Sequence, residues 1–216
     1  MSKLNTLLVV SAAIAAYRGN NGQVINKIKE NDTRITNRTL VDAALAGRIE
    51  VLEITDEDRA NAQTLVDEMQ QRNTLALLTG KKVSSFMTSF LEAIKDETTN
   101  TRNIGVIVWG PKLHEDSKKS DDTQNELALL SYGSKYIGKI GDKIELDFVT
   151  IVERYTTEYN CWRYTGHDTN GNLVGFLSKN KLTSATIRIK GRVKSQSTSR
   201  FAKGNTTYLN YVKEIK

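Results

Sequence analysis

The chain has 216 residues, 38% hydrophobic and 26% charged, with one proline and a mean hydropathy of -0.44. This composition excludes a fully disordered chain, a collagen-like repeat and a polytopic membrane protein. A lone cysteine, Cys161, and two histidines exclude a disulfide scaffold and a cysteine-rich zinc site. Charge is unevenly divided. Residues 132–216 hold fifteen basic and seven acidic residues, a net of +8, and eleven of the fifteen aromatics, which leaves -2 for residues 1–131. A basic, aromatic-rich half joined to a near-neutral one points to polyanion contact through the second half alone.

Near the N-terminus, Lys3 is followed by Leu7, Leu8, Val9, Val10, Ala12, Ala13, Ile14, Ala15 and Ala16. The run reads either as a signal peptide, with Ala13 and Ala15 as the small residues before a cleavage site, or as an alanine-rich buried first helix. It is too short to span a bilayer, and a single lysine is a thin n-region, so the helix is preferred. The signal reading would make this a secreted or envelope protein.

Residues 1–100 read as helical, because apolar positions recur at three and four. Leu40, Val41, Ala44 and Leu45 fit one short helix starting near Asn37 or Thr39. Thr55 ahead of Asp56, Glu57 and Asp58 predicts an N-cap with acids in the first turn, opening a helix whose apolar face includes Leu65, Val66, Met69 and Leu75. Gly80 punctuates. Val83, Phe86, Met87, Phe90, Leu91 and Ile94 form a further stripe, read as core rather than as a partner-binding face.

Residues 104–109 form a short apolar run with β-branched members before Gly110 and Pro111, which predicts a strand. Residues 112–126 include His114, Glu115, Asp116, Lys118, Lys119, Asp121 and Asp122 with almost nothing apolar, which predicts an exposed linker. The expected organisation is a helical region over 1–100, a strand and charged linker over 101–131, and a β-rich domain over 132–216.

From residue 132 the period falls to two. Ile144, Leu146 and Phe148 alternate with Lys143, Glu145 and Asp147 in a strand reaching about Tyr155. A second strand over 159–166 leads into residues 168–172, whose Asn170-Gly171 step predicts a type I′ hairpin turn into a third strand over 173–177. A fourth spans 186–196. A loop with Arg200, Phe201, Lys203 and Gly204 leads to a fifth over 206–215. Five strands in so short a stretch suit a small barrel, since closure removes exposed edges.

The fourth strand carries the functional signal. Side chains alternate faces along a strand, so Arg188, Lys190, Arg192 and Lys194 share one side while Ile187, Ile189, Gly191 and Val193 share the other. Like-facing neighbours lie about 6.6 Å apart, near the phosphate spacing of an extended single strand. A solvated edge face protected by lysine is the plainer explanation; strict alternation and the local shortage of acids favour a strip that tracks a polyanion. Stacking platforms would come from the aromatics. Trp162, Tyr164 and Phe176 divide evenly between core and ligand, and Tyr208 is a further candidate. Phe201, between Arg200 and Lys203 in a polar loop, is the preferred one.

The segments GSKYIGKIGDKIEL from Gly133, DTNGNLVGF from Asp168, and IKGRVK followed by a basic loop and TTYLNYVK resemble an OB-fold-like single-stranded DNA-binding module of bacteriophage and mobile-element replication proteins. The likeness covers the last 85 or so residues. It implies a turn at Gly171 and Asn172, a central strand at residues 191–194 and a last strand holding Thr207 and Leu209. The family's tyrosine and glycine of the basic loop stand here as Phe201 and Gly204. The resemblance implies single-stranded nucleic-acid binding.

Enzymatic readings fare poorly. His114-Glu115-Asp116 and His167-Asp168 lack a third ligand at suitable spacing. LTGKK at Leu78 lacks the first glycine of a phosphate loop. Cys161 reads as a buried thiol, and Glu145 with Asp147 as strand decoration. The expectation is therefore an α+β chain: a helical N-terminal region followed by a five-stranded OB-like antiparallel β-barrel. The barrel is expected to bind single-stranded DNA, or RNA, without sequence preference in phage replication or recombination. Arg188, Lys190, Arg192, Lys194, Arg200 and Lys203 would meet phosphates, and Phe201 with Trp162, Tyr164 or Tyr208 would meet bases. No catalysis, metal, cofactor or membrane is expected, and the host cytoplasm is the expected location. The alternative is an adaptor subunit that docks a replication or transcription partner through its helical region.

Overall fold

A computed structural model describes residues 3–28, 33–80, 82–199 and 201–215. The chain divides into two compact units, residues 1–118 and 119–216.

In the first unit, β1 (Lys3–Asn5) pairs with β2 (Thr98–Asn100), a two-stranded ladder too short to leave a period-two signal. Between them lie α1 (Thr6–Gly19), α2 (Asn37–Leu45), α3 (Asp56–Leu78) and α4 (Ser85–Ala93). The alanine-rich run is α1. Its Val9, Val10, Ala12, Ala13, Ala15 and Ala16 are buried, and their small side chains let α2 and α3 pack against it. Thr36 caps α2 and Thr55 caps α3. At α3 the Thr55 hydroxyl accepts from the Asp58 N–H at 3.2 Å and the Asp58 carboxylate accepts from the Thr55 N–H at 2.9 Å, a reciprocal capping box. Arg18 of α1 donates to the same carboxylate at 2.8 Å. Burial alone would raise the Asp58 pKa, but these donors together hold it below the usual carboxylate range.

Three expectations fail in this half. Leu75 is 54% exposed, because α3 runs past the core that buries Leu65, Val66 and Met69. In the stripe that follows, Phe90 and Ile94 are buried while Phe86 is exposed. The strand expected at residues 104–109 is helical: α5 (Ile104–Ile107) buries Ile104, Ile107 and Val108, a spacing of three and four that overrides β propensity once a helical core is available.

The expected linker is also a helix, α6 (Gly110–Gly133). Pro111 fits in its first turn, where its missing N–H breaks no hydrogen bond. The helix was hard to read because polar contacts rather than an apolar stripe hold it. Lys112 pairs with Asp116 one turn on. His114 and Lys118 reach Glu68 of α3 at 2.8 and 3.3 Å, and Tyr17 donates to Glu115 at 2.5 Å. Burial and Glu115 push the Tyr17 hydroxyl up to about 12. His114, then Lys118, lower the Glu68 carboxyl. Among the described residues no helix is long and apolar enough to cross a membrane.

In the second unit, β3 (Lys143–Thr156), β4 (Cys161–Asp168), β5 (Leu173–Ser178), β6 (Thr186–Thr198) and β7 (Asn205–Glu214) form a closed barrel in the order β3-β4-β5-β7-β6. The fold is α+β with a five-stranded barrel, as expected. The barrel is mixed rather than antiparallel, because β5 and β7 run parallel. A bulge at Ile151 bends the long β3, which pairs with β6 through its first half and with β4 through its second. The interior holds Phe148, Tyr164, Val174, Phe176, Ile189, Val193 and Leu209. Tyr164 stacks on Phe176 with centroids 5.1 Å apart, and Phe148 meets Phe176 edge-on at 5.0 Å.

The β4–β5 turn is not type I′. Gly171 alone takes positive φ, at 78°, while Asn170 does not. The Gly171 N–H donates to the Asp168 carbonyl and the Asp168 N–H to the Asn172 carbonyl. This is the three-residue loop with a left-handed glycine. Asp168 Oδ1 reinforces it by accepting from the N–H groups of Asn170 and Asn172 at 2.9 and 2.8 Å. That carboxylate makes the tighter two-residue turn unnecessary.

Candidate nucleic-acid interface

Alternation on β6 places the basic row as the sequence indicates. Arg188, Lys190, Arg192 and Lys194 are exposed, while Ile189, Gly191 and Val193 are buried. The neighbouring strands then divide the row. Asp147 and Glu145 of β3 stand opposite Arg188 and Lys190, and Lys143 stands opposite Arg192. A Glu145 oxygen lies 3.8 Å from the Arg188 guanidinium, so Arg188 is already offset by carboxylates of its own barrel. On the other flank, Lys213 of β7 is opposite Lys190 and Asn210 opposite Arg192. Among the described residues Lys190, Arg192 and Lys194 make no ion pair. Positive charge therefore gathers toward the Lys194 end.

That end opens into a groove of about 540 Å³ that reaches the core residues Tyr164, Phe176 and Leu209. Arg163 and Thr165 of β4, Leu177 of β5, and Lys194 and Ser197 of β6 line it with Tyr208, Asn210 and Tyr211 of β7. Tyr159, from the β3–β4 turn, completes the rim. Gly175 shapes the floor: it pairs with Tyr208, and a Cβ there would stand 3.0 Å from that ring, so the missing side chain lets the ring lie down. Tyr159 is 64% exposed and Tyr211 79%. Among the described residues no acidic side chain lines it.

The remaining predicted residues fall differently. Tyr164 is 1% exposed, its ring in the barrel interior and its hydroxyl accepting from the Leu182 N–H at 2.8 Å, so it adjoins the groove but offers almost no surface for stacking. Its position in strand alternation beside Gly166 was consistent with this. Trp162 is half-buried and engaged, edge-on to Tyr155 at 5.2 Å with the Lys181 ammonium 5.0 Å from its ring. Lys181 is in turn 2.9 Å from Glu153. Phe201 is 44% exposed in the β6–β7 loop, and Lys203 beside it is exposed with φ at 55°. That loop is closed on Ser199, whose hydroxyl accepts from the N–H groups of Phe201 and Ala202. Buried Ala202 packs with Leu127 and Leu173. Arg200 lies outside the described residues.

Of the predicted set, then, the groove takes in Lys194 and Tyr208, together with the nearly fully buried Tyr164. Tyr159 and Tyr211 belong to the aromatics available for stacking in the basic half but were not among those selected, and Arg163 and Asn210 were missed. Arg163 sits on the outer face of β4 opposite Trp162 and Tyr164, which alternation alone would have given. The placement of Tyr211 depends on a bulge that the sequence does not announce. Cys161 is buried, and no cluster of three or more His, Cys, Asp or Glu side chains is placed to hold a metal among the described residues. Comparison of the chain with protein-family models, curated proteins and solved structures gives no match.

Proposed function

We propose that the barrel binds single-stranded DNA without strong sequence preference and acts in DNA replication or recombination, in the manner of the phage module its sequence resembles. The observation that carries this reading is the groove. Four tyrosines, of which Tyr164 is nearly fully buried, and two cations, Arg163 and Lys194, line it. Among the described residues those cations make no ion pair and no acid lines the groove, and the basic row of β6 leads away from it. Base stacking on aromatics and phosphate neutralisation by cations are the two parts of a sequence-tolerant single-strand site. The five-stranded closed barrel is compatible with an OB-type fold, in which the face of the second and third strands and the loop between the first and second bind oligonucleotides. The groove draws on the corresponding strands, β4 and β5, as well as on β6 and β7, and takes Tyr159 from the corresponding turn.

Titration of labelled oligo(dT) at two salt concentrations tests this. Arg163, Lys190, Arg192 and Lys194 together give an expected slope of log K against log[salt] near -3, at about 0.7 per phosphate on a single strand. A flat response removes the mechanism.

A second reading rests on the helical unit, where Leu75, Leu77, Leu78 and Phe86 are exposed large apolar residues of the kind that dock a protein partner. Charge reversal at Arg192 and Lys194 separates the two. Loss of oligonucleotide binding supports the first reading, and unchanged binding supports an adaptor in which the barrel is a scaffold.

A further inference from the structure

Tyr211 stands within β7 in the left-handed region, at φ 54°. The pairing explains how. Lys190 pairs with Lys213 and Arg192 with Asn210, so Tyr211 and Val212 together oppose the single residue Gly191. This is a β-bulge, and its left-handed position is one that glycine ordinarily fills. Gly191 makes room for it, because a Cβ there would stand 3.1 Å from Val212 Cγ2 and 3.3 Å from the Asn210 carbonyl oxygen. Val212 gains from the arrangement by packing against the barrel core. Tyr211 does not. Its side chain is largely in solvent and, among the described residues, has no hydrogen bond or ring partner to offset the crowding of Cβ against the carbonyl.

A second bulge lies alongside. Val193 pairs with Leu209 and Ser195 with Tyr208, which leaves Lys194 as the extra residue on β6. The two irregularities thus bring a bare aromatic ring and a bare ammonium to the rim of one groove. Bulges re-aim side chains beside binding sites, and backbone strain held by surrounding structure gathers at ligand clamps.

We infer that Tyr211 is a preorganised stacking platform for a nucleobase, held at the groove by a bulge that costs the folded state stability, with Lys194 taking the adjoining phosphate. This rests on the single-strand reading above. Glycine at position 211 would relax the backbone and remove the platform at once, so the substitution moves stability and binding in opposite directions. An ordinary surface tyrosine would not behave this way.

The test uses the full chain and a labelled oligo(dT) of about 15 nucleotides, within the site size of a single small barrel. Tyr211→Gly is expected to raise the melting temperature by about 4 °C and to weaken binding about tenfold. Tyr211→Phe, which keeps the ring, is expected to bind within about twofold of wild type. Equal affinity of wild type and Tyr211→Gly would overturn the inference while leaving the single-strand reading standing. So would a Tyr211→Phe variant as weak as Tyr211→Gly, or a fall in melting temperature for Tyr211→Gly. Absence of binding by the wild type would overturn both.

Discussion

The Tyr208 ring lies against Gly175 of the neighbouring parallel strand, so close that a Cβ at position 175 would stand 3.0 Å from Cε1 and 3.1 Å from Cδ1. Gly175→Val would lift the ring from the groove floor. Oligo(dT) affinity is expected to fall about tenfold, within the ~1–3 kcal/mol that base–aromatic stacking supplies. Stability should fall by about 1–3 kcal/mol from overpacking. Fluorescence anisotropy and a thermal melt read the two effects, and wild-type affinity in this variant would mean that bases do not use Tyr208.

The four cations of β6 are not equivalent. Arg192→Ala should flatten the salt dependence by about 0.7, the share of one phosphate. Arg188→Ala should leave the slope nearly unchanged, because Asp147 stands opposite Arg188 and Glu145 lies 3.8 Å from it. Equal losses in the two variants would contradict this division of the row.

Gly166 is the most tightly enclosed of the barrel's described glycines. An added Cβ would stand 1.9 Å from the Val149 carbonyl oxygen and 2.7 Å from the Phe148 ring, next to the bulge that bends β3. Gly166→Ala is expected to cost more than about 3 kcal/mol, since neither backbone nor core can yield cheaply. Loss of the cooperative melt of the barrel would register it, and a near-normal melt would count against this packing.

Asp58 makes the helical unit sensitive to acid. Its folded pKa is depressed, so its contribution is fully present above the unfolded value of about 3.9 and is lost as pH falls through the folded value. Asp58→Ala removes both the capping box and the Arg18 partner, at an expected cost of about 2 kcal/mol at neutral pH. The variant should also show a shallower loss of stability below about pH 4. Far-UV circular dichroism during acid and thermal titration checks this, and an unchanged acid limb would show that other carboxylates dominate.

The barrel was legible because its strands alternate cleanly. Ile144, Leu146 and Phe148, and then Ile189 and Val193, point inward in period two, and no other element competes for those faces. The capping box at Thr55 and Asp58 was legible for a similar reason, since both partners lie within one turn. Residues 104–133 were misread because what makes them helical lies elsewhere in the chain. Glu68 and Tyr17 hold the charged start of α6, and Leu127 is buried only because Leu173 and Ala202, both more than 40 positions further along the chain, meet it. At the candidate site the same distinction applies. Side-chain direction on regular β6 followed from spacing, whereas Tyr211 and Lys194 reach the groove through register shifts between β6 and β7 that depend on how two strands pair. Neutralisation of Arg188 likewise depends on strand register, which hydrophobic pattern and turn chemistry fix only approximately.

The strand that closes the barrel is also the last of its five strands to be synthesised. Until residues 205–214 have emerged, β5 and β6 each present a free hydrogen-bonding edge in the nascent chain, while residues 1–118 have been complete for about a hundred codons. At roughly 5–20 residues per second that interval is on the order of 5–20 s. Misfolding and aggregation of this protein in cells should therefore begin from a chain with a finished helical unit and an unsealed barrel.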